Sequence, residues 1–152
     1  MKRLRVMLSL AVMGVIAVTA APQPASAARS FTGEGMMDGI NAVRAKEGLR
    51  QLKRSPRLIR SSAARSTLMM RENFFAHPSR LRVPTFDRVG EILERHGGRR
   101  QKMGRTIRLW MNSYGHRAIM LSSRYRWIGA ARAVGRYAGY RMTIWVVRFG
   151  KH

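Results

Sequence analysis

Tyr140-Arg141-Met142-Thr143-Ile144-Trp145-Val146-Val147-Arg148-Phe149 is the stretch whose alternation decides the fold. Tyr140, Met142, Ile144 and Val146 fall on one face, and Thr143, Trp145, Val147 and Phe149 on the other, so both faces are apolar at the centre. A strand buried on both faces needs a packed layer on each side. Just ahead of it, Trp127 to Val134 reads as a second strand, with Gly135-Arg136-Tyr137-Ala138-Gly139 as a hairpin loop between the two.

Helices supply the layers. Met36, Met37, Ile40, Val43 and Ala45 predict an amphipathic helix that stops at Gly48. Ser55-Pro56 reads as the N-cap and first position of a second helix, whose buried face is expected to carry Ile59, Ala63, Leu68, Met69, Met70 and Phe74. Ile107, Trp110 and Met111 predict a third, and Ser113 is expected to cap a fourth, carrying His116, Ile119 and Met120. Phe86 to Leu93 is ambiguous between a helical turn and a strand, ended by Gly97 and Gly98. The expectation is an α+β fold, a three-layer α-β-α sandwich with a small antiparallel sheet.

The first residues follow a different grammar. Lys2, Arg3 and Arg5 precede an apolar run from Val6 to Ala21, and Ala25-Ser26-Ala27 is a small-residue cleavage site, the layout of a secretory signal peptide. A retained anchor is the alternative, but the run is short of the ~20 residues a spanning helix needs. The expected organisation is a signal peptide over 1–27, a short lead over 28–35 and one domain over 36–150, secreted and without a transmembrane segment after cleavage. With no cysteine in 152 residues, disulfides and thiolate metal sites are both excluded.

The net charge is +23. Without the signal it is about +20, which draws polyanions through screened, salt-sensitive contacts. Arginine outnumbers lysine twenty-five to five, a ratio that a GC-rich genome produces without selection, and the arginines are scattered from Arg29 to Arg148. This reads as a solvated basic surface whose partners are anionic envelope polymers or lipid headgroups, with no specific nucleic acid. One local cluster, Arg95-His96-Gly97-Gly98-Arg99-Arg100, reads as an exposed turn, and its Arg95, Arg99 and Arg100 are the candidate polyanion contacts.

Three further phrases carry the chemistry: Phe74-Phe75-Ala76-His77-Pro78-Ser79, Val89-Gly90-Glu91-Ile92, and Trp110-Met111-Asn112-Ser113-Tyr114-Gly115-His116-Arg117. In this order, followed by Trp127-Ile128-Gly129 and Arg148-Phe149-Gly150, they resemble the CAP superfamily of cysteine-rich secretory, antigen 5 and pathogenesis-related proteins, in its secreted bacterial branch. The resemblance runs from about Met36 to Gly150. It implies the α-β-α sandwich and one cleft holding both imidazoles and the carboxylate. In metal-binding members, two histidines hold a divalent cation such as zinc beside two glutamates. Carried over, His77 and His116 match the histidines and Glu91 the first glutamate, with Trp110, Ser113 and Gly90 as cleft support. This chain departs at Ile92, where the family has Asn, and at Ser113, where it has the second glutamate.

Two imidazoles and one carboxylate suffice as ligands for catalytic zinc with an open position for water. The function expected is therefore an extracellular binding module with a cation-competent His/Glu cleft. The alternatives are a metal-dependent hydrolase of peptide or wall material, with Glu91 as general base, and a cationic envelope-binding protein.

Overall fold

From the N-terminus the elements are β1 (Arg29–Thr32), α1 (Glu34–Lys46), β2 (Lys53–Arg54), α2 (Pro56–Arg71), β3 (Arg88–Gly97), α3 (Met103–Met111), α4 (Tyr114–Met120), β4 (Trp127–Tyr137) and β5 (Tyr140–Lys151), in a computed structural model that describes residues 28–152. The expected signal peptide lies outside the described residues. The sheet runs β1-β4-β5-β3, antiparallel throughout that path, with β2 adding a short parallel pairing to β4. β5 is thus an inner strand, flanked by β3 and β4.

Each face of β5 meets helices as its alternation requires. Ile144 and Val146 pack with Leu93, Ala133 and the α2 residues Met69 and Met70. Trp145, Val147 and Phe149 pack with Met36, Met37 and Ile40 of α1, Ile107 and Trp110 of α3, and Met120 of α4. The three-layer sandwich is therefore present, with α2 alone on one side among the described residues.

Several local expectations are corrected. The segment over 28–35 is not a lead: β1 pairs with β4 from Arg29 to Thr32, and α1 begins at Glu34. β4 runs on to Tyr137, so the hairpin loop shrinks to Ala138-Gly139. Both turn residues have positive φ, 47° and 85°, which is the type I′ geometry whose twist matches the flanking strands. Alanine is strained there while asparagine tolerates it, so Ala138→Asn is expected to stabilise the domain by about 0.5–1 kcal/mol. An unchanged or lower denaturant midpoint would count against this reading of the turn.

The ambiguous segment is a strand, β3, because the whole length of β5 is available to pair with it, from Arg88↔Lys151 to Gly97↔Met142. That pairing also overrides the turn expected at Arg95-His96-Gly97: His96 is a buried strand residue. In α2 the buried face is Leu58, Ser62, Ser66, Met69 and Met70, while Leu68 is exposed. Small hydroxyl residues replace the expected Ile59 and Ala63 because the helix backbone lies directly on β4, where Ser62 Oγ donates to Gly129 O at 2.9 Å.

α1 ends as its glycine predicts, with Leu49 N donating to Arg44 O at 2.9 Å and Gly48 N to Ala45 O at 3.1 Å. Its last buried residue is Arg44, which the apolar pattern did not show. Arg44 Nη1 donates to Met120 O at 2.6 Å and Ser122 O at 3.0 Å, and Nε to Arg50 O at 3.1 Å. The end of α4 is thereby tied to α1, which fixes the short helix that carries His116. Burial holds the Arg44 pKa below its ordinary value, with Arg126 adding to the shift.

Candidate functional site

Glu91 sits mid-strand on β3, directly opposite Arg148 on β5. Its side chain is 0% exposed, and Arg148 donates to its Oε2 from Nε at 2.9 Å and from Nη2 at 2.8 Å. Arg148 is itself buried and also bonds Ser61 Oγ on α2. The antiparallel register makes this pair: once β3 and β5 align, the two charges share a row and a face.

The other oxygen of Glu91 accepts from His77 Nδ1 at 3.0 Å. His77 reaches it from the segment after α2, whose two phenylalanines pack against the core formed by Met69, Met70 and Leu93. Cations hold those rings from outside, Arg65 over Phe74 at 5.1 Å and Arg95 over Phe75 at 5.0 Å. Arg65 also donates to Ala76 O at 2.5 Å, one residue before the histidine. His77 remains 58% exposed, so one edge of its ring is anchored and the other faces outward.

His116 approaches from α4, on the opposite side of β3. Its Nδ1 lies 2.8 Å from Ser113 Oγ, and its ring sits 6.5 Å from that of Trp110, which donates from Nε1 to Leu93 O at 3.0 Å. Ser113 occupies the N-cap position but makes no side-chain cap, because its hydroxyl goes to the imidazole. Gly90 is where α4 and the following segment press on β3: an added Cβ would stand 2.5 Å from the Tyr125 hydroxyl and 3.1 Å from Ile119 Cγ2. Burial lowers the His116 pKa, and the neighbouring His77 lowers it further, so the imidazole is neutral near pH 7.

The three expected ligands do not form one coordination set. Among the described residues, no group of three His, Cys, Asp or Glu side chains is placed to hold a metal ion. Glu91 is sealed from solvent with both oxygens bound. Each imidazole is held through Nδ1, His77 by Glu91 and His116 by Ser113, which leaves Nε2 of both rings outside these bonds.

The arginine cluster divides. Arg95 turns to the α2 side and donates to the Tyr137 hydroxyl at 2.8 Å, while Arg99 lies on the other side, at a cavity that Arg100 does not line. Sequence reasoning missed Arg148 and Ser61. The available signal was a lone arginine inside the Trp145-Val146-Val147-Arg148-Phe149 run, on the face that Ile144 and Val146 bury.

The family model of the cysteine-rich secretory proteins, CAP, matches residues 37–149. The chain belongs to that family. Its fold is shared by an outer surface protein from Borrelia burgdorferi, at 19% identity and a TM-score of 0.65, over 82% of this chain and 99% of that one. It is also shared by an extracellular protein with an SCP domain from Bacillus anthracis, at 21% identity and a TM-score of 0.60, over 78% of this chain and 40% of that one. A search of curated proteins returns no match. Among the described residues of this CAP protein, no helix is long and apolar enough to cross a membrane.

Proposed function

We propose that this CAP domain is a secreted, extracellular binding module, with His77 and His116 as a weak divalent-cation site, and that it does not hydrolyse peptide or wall polymers. The observation that carries this reading is the burial of Glu91. A general base must reach the proton it removes. The carboxylate of the cleft is 0% exposed and ion-paired to Arg148, so it faces no water to activate. Secretion is supported by the signal-like N-terminus and by the outer-surface and extracellular descriptions of the Borrelia and Bacillus proteins. The high positive charge supports anionic envelope polymers or lipid headgroups as partners, held by screened contacts.

Two imidazoles without a carboxylate, on a strongly basic protein, predict zinc affinity with a dissociation constant on the order of micromolar or weaker. Binding falls as the solution is acidified, because protons compete for the same nitrogens. The lowered pKa of His116 keeps its ring available to lower pH than an ordinary histidine. Calorimetric titration of wild type beside His77→Ala and His116→Ala, with an assay on peptide and wall substrates, checks both halves. The histidine variants are expected to lose zinc, and the substrates to stay intact. Equal zinc binding by all three proteins would remove the cation site; cleavage abolished by Glu91→Gln would restore the hydrolase.

A further inference from the structure

Away from the histidine cleft, the sheet gathers arginines that are scattered in sequence. Phe31, Arg132 and Trp145 form one row across β1, β4 and β5; Arg29 and Val134 share the next; Arg136 and Arg141 stand opposite each other beyond it. Directly opposed residues share a face, and alternate residues of β4 share it too, so all four arginines project to the α1/α3 side of the sheet. Arg99 joins them from the segment after β3, which is pinned on both flanks: Thr143 Oγ1 donates to Gly98 O at 2.7 Å and Trp145 Nε1 to Gln101 O at 3.1 Å. The five arginines line a cavity of about 340 Å³, with Phe31 and Val134 among its apolar residues.

The charges in this cavity are uncompensated. The ion pairs among the described residues involve Arg54, Arg71, His77 and Arg148, and none of the five. Arg132 is only 8% exposed, sandwiched with its guanidinium carbon 4.4 Å from the Phe31 ring centre and 5.9 Å from that of Trp145. It has no hydrogen-bond acceptor or carboxylate partner among the described residues, and burial alone lowers its pKa. Of the other four, Arg136 makes one bond, to Gly139 O at 3.1 Å. Like charges set directly opposite in a ladder repel, and an arginine whose stem is buried between two rings holds its unpaired charge beside low-dielectric walls. Nothing in the folding of the sheet requires either. Planar guanidinium forks converging on one hollow are instead matched to the oxygens of a phosphate group. The volume lies in the range of pockets that hold small organic ligands.

We propose that this five-arginine cavity binds a multiply charged phosphate group, as a second site separate from the histidine cleft. Arg132, stacked between Phe31 and Trp145 at the cavity wall, supplies the least exposed contact, and Arg29, Arg99, Arg136 and Arg141 supply the others. Arg148 lies seven positions after Arg141 along β5, about 23 Å of extended chain, so the two sites do not share a ligand. The inference does not depend on the cleft binding a cation.

Tripolyphosphate is the probe, titrated calorimetrically into the full protein at 0.15 M salt, on the order of physiological ionic strength. The expected result is one saturable site, weakened roughly tenfold or more by Arg132→Gln, because a charge-assisted contact is removed. The double change Arg99→Gln with Arg141→Gln is expected to do the same and touches no core residue, so it keeps the test valid if Arg132→Gln disturbs the sheet. Arg124→Gln removes an equal charge in the segment before β4, beyond the end of the strand remote from the cavity, and is expected to change affinity less than about twofold. Equal losses in all variants, or many weak sites without saturation, would mean a diffuse basic surface and overturn the proposal. Vesicles containing phosphatidic acid, whose phosphate monoester can carry more than one charge, separate the sources of the phosphate: capture that tripolyphosphate displaces and Arg132→Gln weakens assigns a lipid headgroup. Capture indifferent to both assigns a soluble phosphate ester.

Discussion

Gly129→Ala is expected to leave no folded protein. An added Cβ would stand 2.3 Å from Leu58 C and from Ile59 N, and 2.4 Å from Leu58 Cβ. These are mostly backbone atoms of the first turn of α2, and that turn is held to β4 at several points. Ser55 N donates to Ile128 O at 2.9 Å and Ser62 Oγ to Gly129 O at 2.9 Å, while Ser55 Oγ fixes the turn itself by accepting from Leu58 N at 3.3 Å. Overpacking against movable side chains costs about 1–3 kcal/mol. Here relief requires lifting the one helix that, among the described residues, covers that face of the sheet, a cost of the same order as the ~5–15 kcal/mol that holds a whole domain together. The check is soluble yield and a cooperative thermal transition, beside Gly115→Ala, where an added Cβ meets nothing within 4 Å. Inside α4 that control is expected to be neutral or to gain up to about 1 kcal/mol. A Gly129→Ala protein that unfolds cooperatively within about 1 kcal/mol of wild type would show that α2 does not lie where it is placed.

The second large effect belongs to Glu91. Glu91→Leu leaves Arg148 buried with its charge unanswered and Ser61 as its remaining side-chain partner. Removing one partner of a buried pair costs about 3–5 kcal/mol, whereas replacing both with apolar residues is often neutral. The double variant Glu91→Leu with Arg148→Met is therefore expected to recover most of the loss. Denaturant unfolding of the two single variants and the double one measures the coupling. Additive losses, or a single-variant cost under about 1 kcal/mol, would contradict a sealed ion pair. The same variant frees His77 from its acceptor, so any zinc affinity should fall without the loss of a ligand atom.

This ion pair explains why the site was only half legible. His77, Glu91 and His116 stand out in sequence because each lies in a short phrase, and two of the three do meet, at 3.0 Å. The reading of Glu91 as a ligand or base failed to include Arg148, which is 57 residues away in sequence and arrives only through strand register. Ser113 shows the same limit at shorter range. Its position was read correctly as the start of a helix, yet its hydroxyl has two possible uses, and the imidazole takes it.

Local physics determined what the sequence determined. The two apolar faces of Tyr140 to Phe149 require layers on both sides whatever the partners are, and the stop at Gly48 and the Ser55-Pro56 start follow from backbone geometry within a single turn. The strand identity of Arg88–Gly97 was decided by its neighbour, because a short apolar run becomes a strand when an open ladder edge is offered to it. The arginine cavity lies wholly on the tertiary side. Its cations come from three strands and one pinned segment, and in sequence they are spaced as an ordinary solvated surface. Charge composition is additive along the chain, but the potential in a cavity depends on which charges the register brings to one face, and that no local pattern records.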